Sequence, residues 1–166
     1  MLPALLVLAG GGVLAAGYVS RLKKDANDIQ VIVSGRLQSI KTDGVHVLLN
    51  VLLKNPTRSD FTFTYPFLTL LSNANSTLGT SQSDNSEIQL KALSEQALKP
   101  LEIVIPLAQV LALGLELFKA IKEGKAGLQV KVKVISFTRL LFGTVSIRKE
   151  WEFPITLIKN SSDGNG

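Results

Sequence analysis

The 166-residue chain predicts a mainly β protein: an antiparallel β-sandwich of about seven strands with one α-helix before the last two strands, preceded by an N-terminal transmembrane helix. Three observations carry this. Apolar and polar residues alternate over several short runs separated by turn signals, a single later segment repeats its apolar residues at helical spacing, and an unbroken apolar run extends from Leu2 to Val19.

At about 1.5 Å per residue that first run reaches roughly 27 Å as a helix, against a hydrocarbon core of about 30 Å. Leu2, Leu5, Leu6, Val7, Leu8, Val13, Leu14, Tyr18 and Val19 are its anchor residues, and the cations Arg21, Lys23 and Lys24 close it. A cleaved signal peptide is one alternative, with small residues at Ala15-Ala16-Gly17, but such a peptide normally carries Lys or Arg ahead of its apolar stretch and here only the α-amino group precedes Leu2. A buried core helix is the other. Gly10, Gly11, Gly12 and Gly17 would each weaken it by about 1 kcal/mol relative to alanine, a smaller handicap in lipid, where small residues let helices approach. With cations only on the C-terminal flank, the positive-inside rule puts the folded domain on the cytoplasmic side, unless the membrane belongs to a virus particle. The expected layout is an anchor over 1–20, a basic juxtamembrane linker over 21–27, a sandwich over 28–159 and a disordered polar tail over 160–166.

The strands follow in order. Ile29 to Val33 is β-branched and apolar, and the pattern resumes through Leu37 and Ile40 until Thr42-Asp43-Gly44 signals a hairpin. Val45, Val47, Leu49, Val51 and Leu53 then point one way while His46, Asn50 and Lys54 point the other. Asn55-Pro56 ends that strand, because proline cannot donate to a ladder. Phe61, Phe63 and Tyr65 alternate with Thr62 and Thr64, Pro66 breaks the run, and Phe67 to Leu71 continues it. After a polar turn from Ser72 to Ser76 come a short strand at Leu78-Gly79-Thr80, a polar loop from Ser81 to Ser86, and strands at Ile88 to Leu90 and Leu101 to Ile105. Leu128, Val130, Val132 and Val134 alternate against Gln129, Lys131 and Lys133, and Val145 and Ile147 lead into Trp151 and Phe153.

Pro106 opens the helix, which runs from Leu107 to about Glu123 with Gly124 past its end. Leu107, Val110, Leu111, Leu117, Phe118 and Ile121 form its core face. Leu113 and Leu115, with Glu116 beside them, fall outside that stripe. They are the candidate contact surface, for a partner or for the bilayer, unless neighbouring loops cover them.

Composition narrows the chemistry. The chain has no cysteine, so it has neither a disulfide framework nor a lipoprotein acylation site, and its net charge of +5 is scattered instead of gathered with stacking aromatics as a nucleic-acid binder requires. The single histidine, His46, lies on a polar strand face and reads as exposed or hydrogen-bonded. Glu150 and Glu152 share a strand face beside Arg148 and Lys149 and read as a solvated edge, not a hydrolase pair. Gly10-Gly11-Gly12 lacks the Gly-Lys-Ser/Thr of a phosphate loop, and Asp25, Asn27 and Asp28 lack the glycine and distal glutamate of a calcium loop. No catalytic residue, metal ligand or cofactor site is expected.

The stretch Val51-Leu52-Leu53-Lys54-Asn55-Pro56-Thr57, followed by Phe63-Thr64-Tyr65 and then Thr77-Leu78-Gly79-Thr80, resembles the WHy (water stress and hypersensitive response) domain of group 2 late embryogenesis abundant proteins. The likeness runs over about residues 28–158. It implies a small sandwich with an Asn-Pro pair ending an early strand, a Leu-Gly pair in a later one and a helix before the last two strands, in a non-enzymatic role that is often membrane-proximal or protective.

The functional expectation is a non-enzymatic, membrane-anchored structural or protein-interaction module in a larger assembly, such as an envelope complex or the membrane layer of a lipid-containing virion. Its partners would be the lipid bilayer and either another protein or a second copy joined through the anchor, with no nucleic acid and no metal. A stress-protective protein without a fixed partner is the alternative, as is a lipid carrier, which needs a continuous apolar cavity of about 300 Å³ or more.

Overall fold

The computed structural model describes residues 17, 18, 20–140 and 145–159. Ten strands and three helical segments lie among them. Residues 17, 18 and 20–27 are helical (α1). Then come β1 (Gln30–Lys41), β2 (Gly44–Lys54), β3 (Phe61–Thr64), β4 (Phe67–Leu71), β5 (Thr77–Thr80), β6 (Glu87–Leu90), β7 (Glu95–Ala97), β8 (Leu101–Ile105), α2 (Leu107–Ala112), α3 (Leu115–Lys122), β9 (Leu128–Leu140) and β10 (Val145–Leu157).

All strand pairs within the sheets are antiparallel. In the first sheet, β1 and β2 form a hairpin across Thr42-Asp43, and the far edge of β2 is shared by β8 along Val45–Leu49 and β7 along Leu52–Lys54. In the second, β9 is central. Strand β10 pairs along its whole length on one side, and β4 and β3 lie in tandem on the other, with β5 outside β4 and β6 outside β3. Pro66 sits in the gap between β3 and β4, as the sequence anticipates.

The predicted alternation holds for the apolar face. Val45, Val47, Leu49, Val51 and Leu53 of β2 are buried against Leu128, Val130, Val132 and Val134 of β9, with Phe61, Phe63, Leu68 and Leu70 filling the same core. Each fully buried side chain of this size contributes about 1.5–3 kcal/mol. The sheets close on one another where β5 meets β8. There Gly79, the glycine of the Leu-Gly pair, permits the approach, since a Cβ on it would stand 2.8 Å from Ile103 Cγ2 and 2.9 Å from the Val104 carbonyl oxygen.

Three expectations change. The strand count rises from about seven to ten, partly because β7 consists of three exposed residues, Glu95, Gln96 and Ala97, whose pattern gives no signal and which are held only by pairing to β2. The single helix from Leu107 to Glu123 is instead two, since the chain turns at Gly114, whose φ of +124° lies outside the helical region. Residues 21–27, read as a linker, are helical, with Leu22 and Ala26 in the core beside Ile29 and Asp25 accepting a hydrogen bond from Ser59 Oγ at 2.6 Å. Among the described residues, no helix is long and apolar enough to cross a membrane. Leu2, Leu5, Leu6, Val7, Leu8, Val13, Leu14 and Val19, on which the transmembrane helix rests, lie outside the described residues, as does the tail over 160–166. Tyr18, the one described member of that set, is exposed.

Strand β10 is an edge, and it carries two features that discourage a further strand from adding to it. Pro154 cannot donate to a new ladder, and Lys149 points inward. Its Nζ donates to Asn27 Oδ1 of α1 at 2.5 Å and lies 5.9 Å from the centre of the Trp151 ring, and burial pushes its pKa down. The outer face of β9 and β10 bears the pairs Lys133–Glu150 (2.9 Å) and Lys131–Glu152 (3.8 Å), so Glu150 and Glu152 are engaged as a charged, solvated surface. Exposed pairs of this kind are worth about 0–1 kcal/mol each.

Candidate interaction surface

The two ends of the sandwich differ in chemistry. One end carries α1, the start of β1 and the loop over 55–60, and its cations Arg21, Lys23, Lys24 and Arg58 are exposed. The opposite end carries the β1–β2 turn, the β4–β5 turn, α2 and α3, because β8 delivers the chain to α2 beside Val45 and α3 returns it to β9 at Leu128. The 13 residues of β9 separate the ends by about 40 Å.

At the second end α2 and α3 are fixed by only a few inward side chains. Val110 and Ile121 are buried, and Leu117 and Phe118 pack partly against the core. Leu111, Leu113 and Leu115, around the break at Gly114, face outward. Leu111 is 45% exposed, Leu113 37% and Leu115 54%. Neighbouring loops therefore leave Leu113 and Leu115 uncovered, and Leu111, placed on the core face by helical spacing, joins them because that spacing does not continue through the turn. Glu116 is exposed in the first turn of α3, and Lys119 and Lys122 in its last. Between α3 and the second sheet lies a cleft of about 450 Å³, lined by Leu113, Leu117, Leu128 and the β4–β5 turn at Ser72, Asn73 and Ala74.

A second polar arrangement was not legible in the sequence. His46 is 7% exposed, and its partners come from two other places in the chain: Nδ1 contacts Glu102 of β8, and Nε2 lies 2.9 Å from Asp43 Oδ1 in the hairpin turn. A carboxylate on each ring nitrogen favours the imidazolium, which donates to both. The hydrogen bond to Glu102 and then that to Asp43 raise the pKa of His46, and the hydrogen bond from His46 lowers that of Asp43. Alternation gives the face of His46, but Glu102 is 56 residues away and no local pattern announces it.

The sign of the linkage follows. A histidine whose pKa is raised by folding stabilises the protein fully below its unfolded value of about 6.5 and loses that contribution as pH rises through the folded value. Denaturant melts of the parent and of His46→Gln should therefore show a stability difference that shrinks above about pH 6.5. A difference that grows with pH would mean that the ring is held neutral.

Among the described residues no group of three or more His, Asp or Glu is placed to hold a metal ion. Asp25 is bound to Ser59 and Asn27 to Lys149, so two of the three residues weighed as calcium ligands have protein partners.

No family model matches the chain, and no curated protein matches it. Among solved structures it is similar to a protein from Archaeoglobus fulgidus, with a TM-score of 0.46 and 11% identity over 80% of this chain and 98% of that one. It is also similar to a protein from Arabidopsis thaliana, with a TM-score of 0.45 and 17% identity over 75% of this chain and 78% of that one. A third structure, of a protein provisionally described as late embryogenesis abundant, gives a TM-score of 0.39 and 15% identity over 88% of this chain and 86% of that one. All three scores lie below 0.5, so the reading of the surface rests on its own geometry.

Proposed function

We propose that the chain is a non-enzymatic interaction module in which a rigid sandwich presents a leucine-bearing pair of helices to a partner protein. One observation carries the reading: Leu111, Leu113 and Leu115 are exposed together beside an apolar cleft. Scattered exposed leucines need no explanation, but three grouped on adjoining helical segments form the kind of patch that proteins cover. The partner would offer one large apolar side chain to the cleft and carboxylates to Lys119 and Lys122. The membrane part of the reading rests on the apolar run from Leu2 to Val19 and the cations that follow it. If that run lies in a bilayer, α1 continues from it at the end opposite the leucines, and this favours a second protein over the same bilayer as what covers them.

A photoreactive amino acid at position 113, compared with one at the exposed Ile32 on the outer face of the first sheet, tests this in cells. The expected result is a single stoichiometric protein adduct at 113 and none at 32. The adduct should be lost on Leu115→Asp while unfolding free energy changes by less than about 0.5 kcal/mol, as at other exposed sites. No protein adduct at 113, or adducts to lipid alone, would overturn the reading and favour a protective protein without a fixed partner.

A further inference from the structure

Helix α1 is fastened to the sandwich. Leu22 and Ala26 are buried in the core, Asp25 accepts the Ser59 hydroxyl at 2.6 Å, and Asn27 Oδ1 accepts from Lys149 Nζ. No slack therefore separates the cations on α1 from the end of the sandwich, and a surface met by Arg21, Lys23 and Lys24 is met by that end as well. The fold adds Arg58, from the loop over 55–60. Arg58 and Arg21 line one cleft of about 460 Å³ with Asp25, Asp28, Pro56 and Thr57. The loop is held in place, because Asn55 and Thr57 are buried and the Asn55 amide donates to the Ser59 and Lys91 carbonyls.

The charges at this end do not cancel. Lys54 pairs with Glu95 and Lys91 with Asp60. Arg21, Lys23, Lys24 and Arg58 are exposed and, among the described residues, enter no ion pair. Two acids stand near them. Asp25 is bound to Ser59, and Asp28 acts on Lys149, whose pKa burial lowers and the charge of Asp28 raises. With both acids taken at full charge and Lys149 left out, the four cations still outnumber the two carboxylates.

Depth along α1 says what such a surface meets. Arg21 follows the exposed Tyr18 by three residues, about 4.5 Å along a helix, and the headgroup layer on each side of a bilayer is about 5–8 Å thick. If the apolar run from Leu2 to Val19 lies in the hydrocarbon, Arg21 stands among the headgroups and Arg58 stands beside it. Exposed cations spread over one end suit a charged surface, since no two of them have to reach the same atom. We propose that the α1 end of the sandwich is a docking surface for anionic phospholipid headgroups, with Arg58 a contact that the fold adds to the three cations on α1. This rests on the membrane part of the reading above and turns a tethered domain into one seated on the bilayer. Each cation held close to an anionic surface strengthens adsorption about fivefold.

The test uses the full chain reconstituted in phosphatidylcholine vesicles with phosphatidylglycerol as the minor lipid. A photoreactive amino acid at the exposed position 56 leaves Arg58 in place. Lipid adducts formed there should hold phosphatidylglycerol at least threefold above its share of the bilayer. Arg58→Glu should at least halve that enrichment and Arg58→Lys should keep it, with the urea midpoint unchanged in both because the side chain is exposed. Adducts of bulk composition, or an enrichment that survives Arg58→Glu, would overturn the inference. A chain that carbonate washes from the vesicles would overturn it together with the membrane part of the reading. A retained chain with no lipid adduct at 56 would overturn it alone, and neither result bears on the protein adduct expected at 113.

Discussion

Asn55→Ala should lower the unfolding free energy by about 3 kcal/mol or more, a large loss for a polar side chain. The residue is 2% exposed and its amide is fully used. Nδ2 donates to the Ser59 carbonyl at 2.7 Å and the Lys91 carbonyl at 3.0 Å, while Oδ1 accepts the Thr57 N–H at 3.0 Å and the Thr57 hydroxyl at 2.7 Å. One side chain thus ties the end of β2 to the loop that follows it and to the segment after β6. Removing it leaves the buried Thr57 N–H and the part-buried carbonyls of Ser59 and Lys91 without this partner, each unmade bond costing about 1–3 kcal/mol where water cannot enter. Urea unfolding should show a lower midpoint with an unchanged slope. A loss below about 1 kcal/mol would show that water replaces the amide, and Asn55 would then be a strand terminator only. Pro56→Ala next to it is the control, since Pro56 is exposed and its substitution should change little.

That contrast marks where sequence reasoning reaches its limit. Pro56 announces the end of β2 through its missing N–H, a local property that can be read from the sequence. Asn55 does its work through residues four and 36 positions away, which only the fold brings together. The same division runs through the molecule. Strands β2 and β9 were legible because a two-residue period over 11 and 13 residues fixes which side faces the core. Strand β7 was not, since a strand that buries nothing leaves no period. The docking of α1 is present in the sequence as Leu22, Ala26 and Ile29 at the spacing i, i+4 and i+7, but the cations Arg21, Lys23 and Lys24 among them carry the stronger local signal, that of a linker. The candidate surface was half legible. Leu113 and Leu115 stood out from the helical stripe, whereas Leu111 fitted it and was released only by the turn at Gly114. The contact between His46 and Glu102 had no local signal, because the two residues are 56 positions apart and meet only when β2 pairs with β8.

The closure of the two sheets where β5 meets β8 sets the second large effect. Gly79→Ala should cost about 2 kcal/mol and Gly79→Val about 3, within the range for forcing extra carbons into a packed interior. The new Cβ would meet two atoms of different kinds: a methyl of Ile103 at 2.8 Å, which can be removed, and the backbone oxygen of Val104 at 2.9 Å, which cannot. The pair Gly79→Ala and Ile103→Ala separates them. Ile103 is buried, so Ile103→Ala alone should cost about 2–5 kcal/mol through its cavity. If the side chain is the obstacle, the double variant will be more stable than the sum of the singles predicts, by about 1 kcal/mol or more. If the carbonyl is the obstacle, the losses will add to within about 0.5 kcal/mol. We expect additivity, because β8 is pinned to β2 by five paired residues and cannot retreat without giving up that register. Strong rescue by Ile103→Ala would mean that β8 yields easily and that its five-residue register with β2 does not fix its distance from β5.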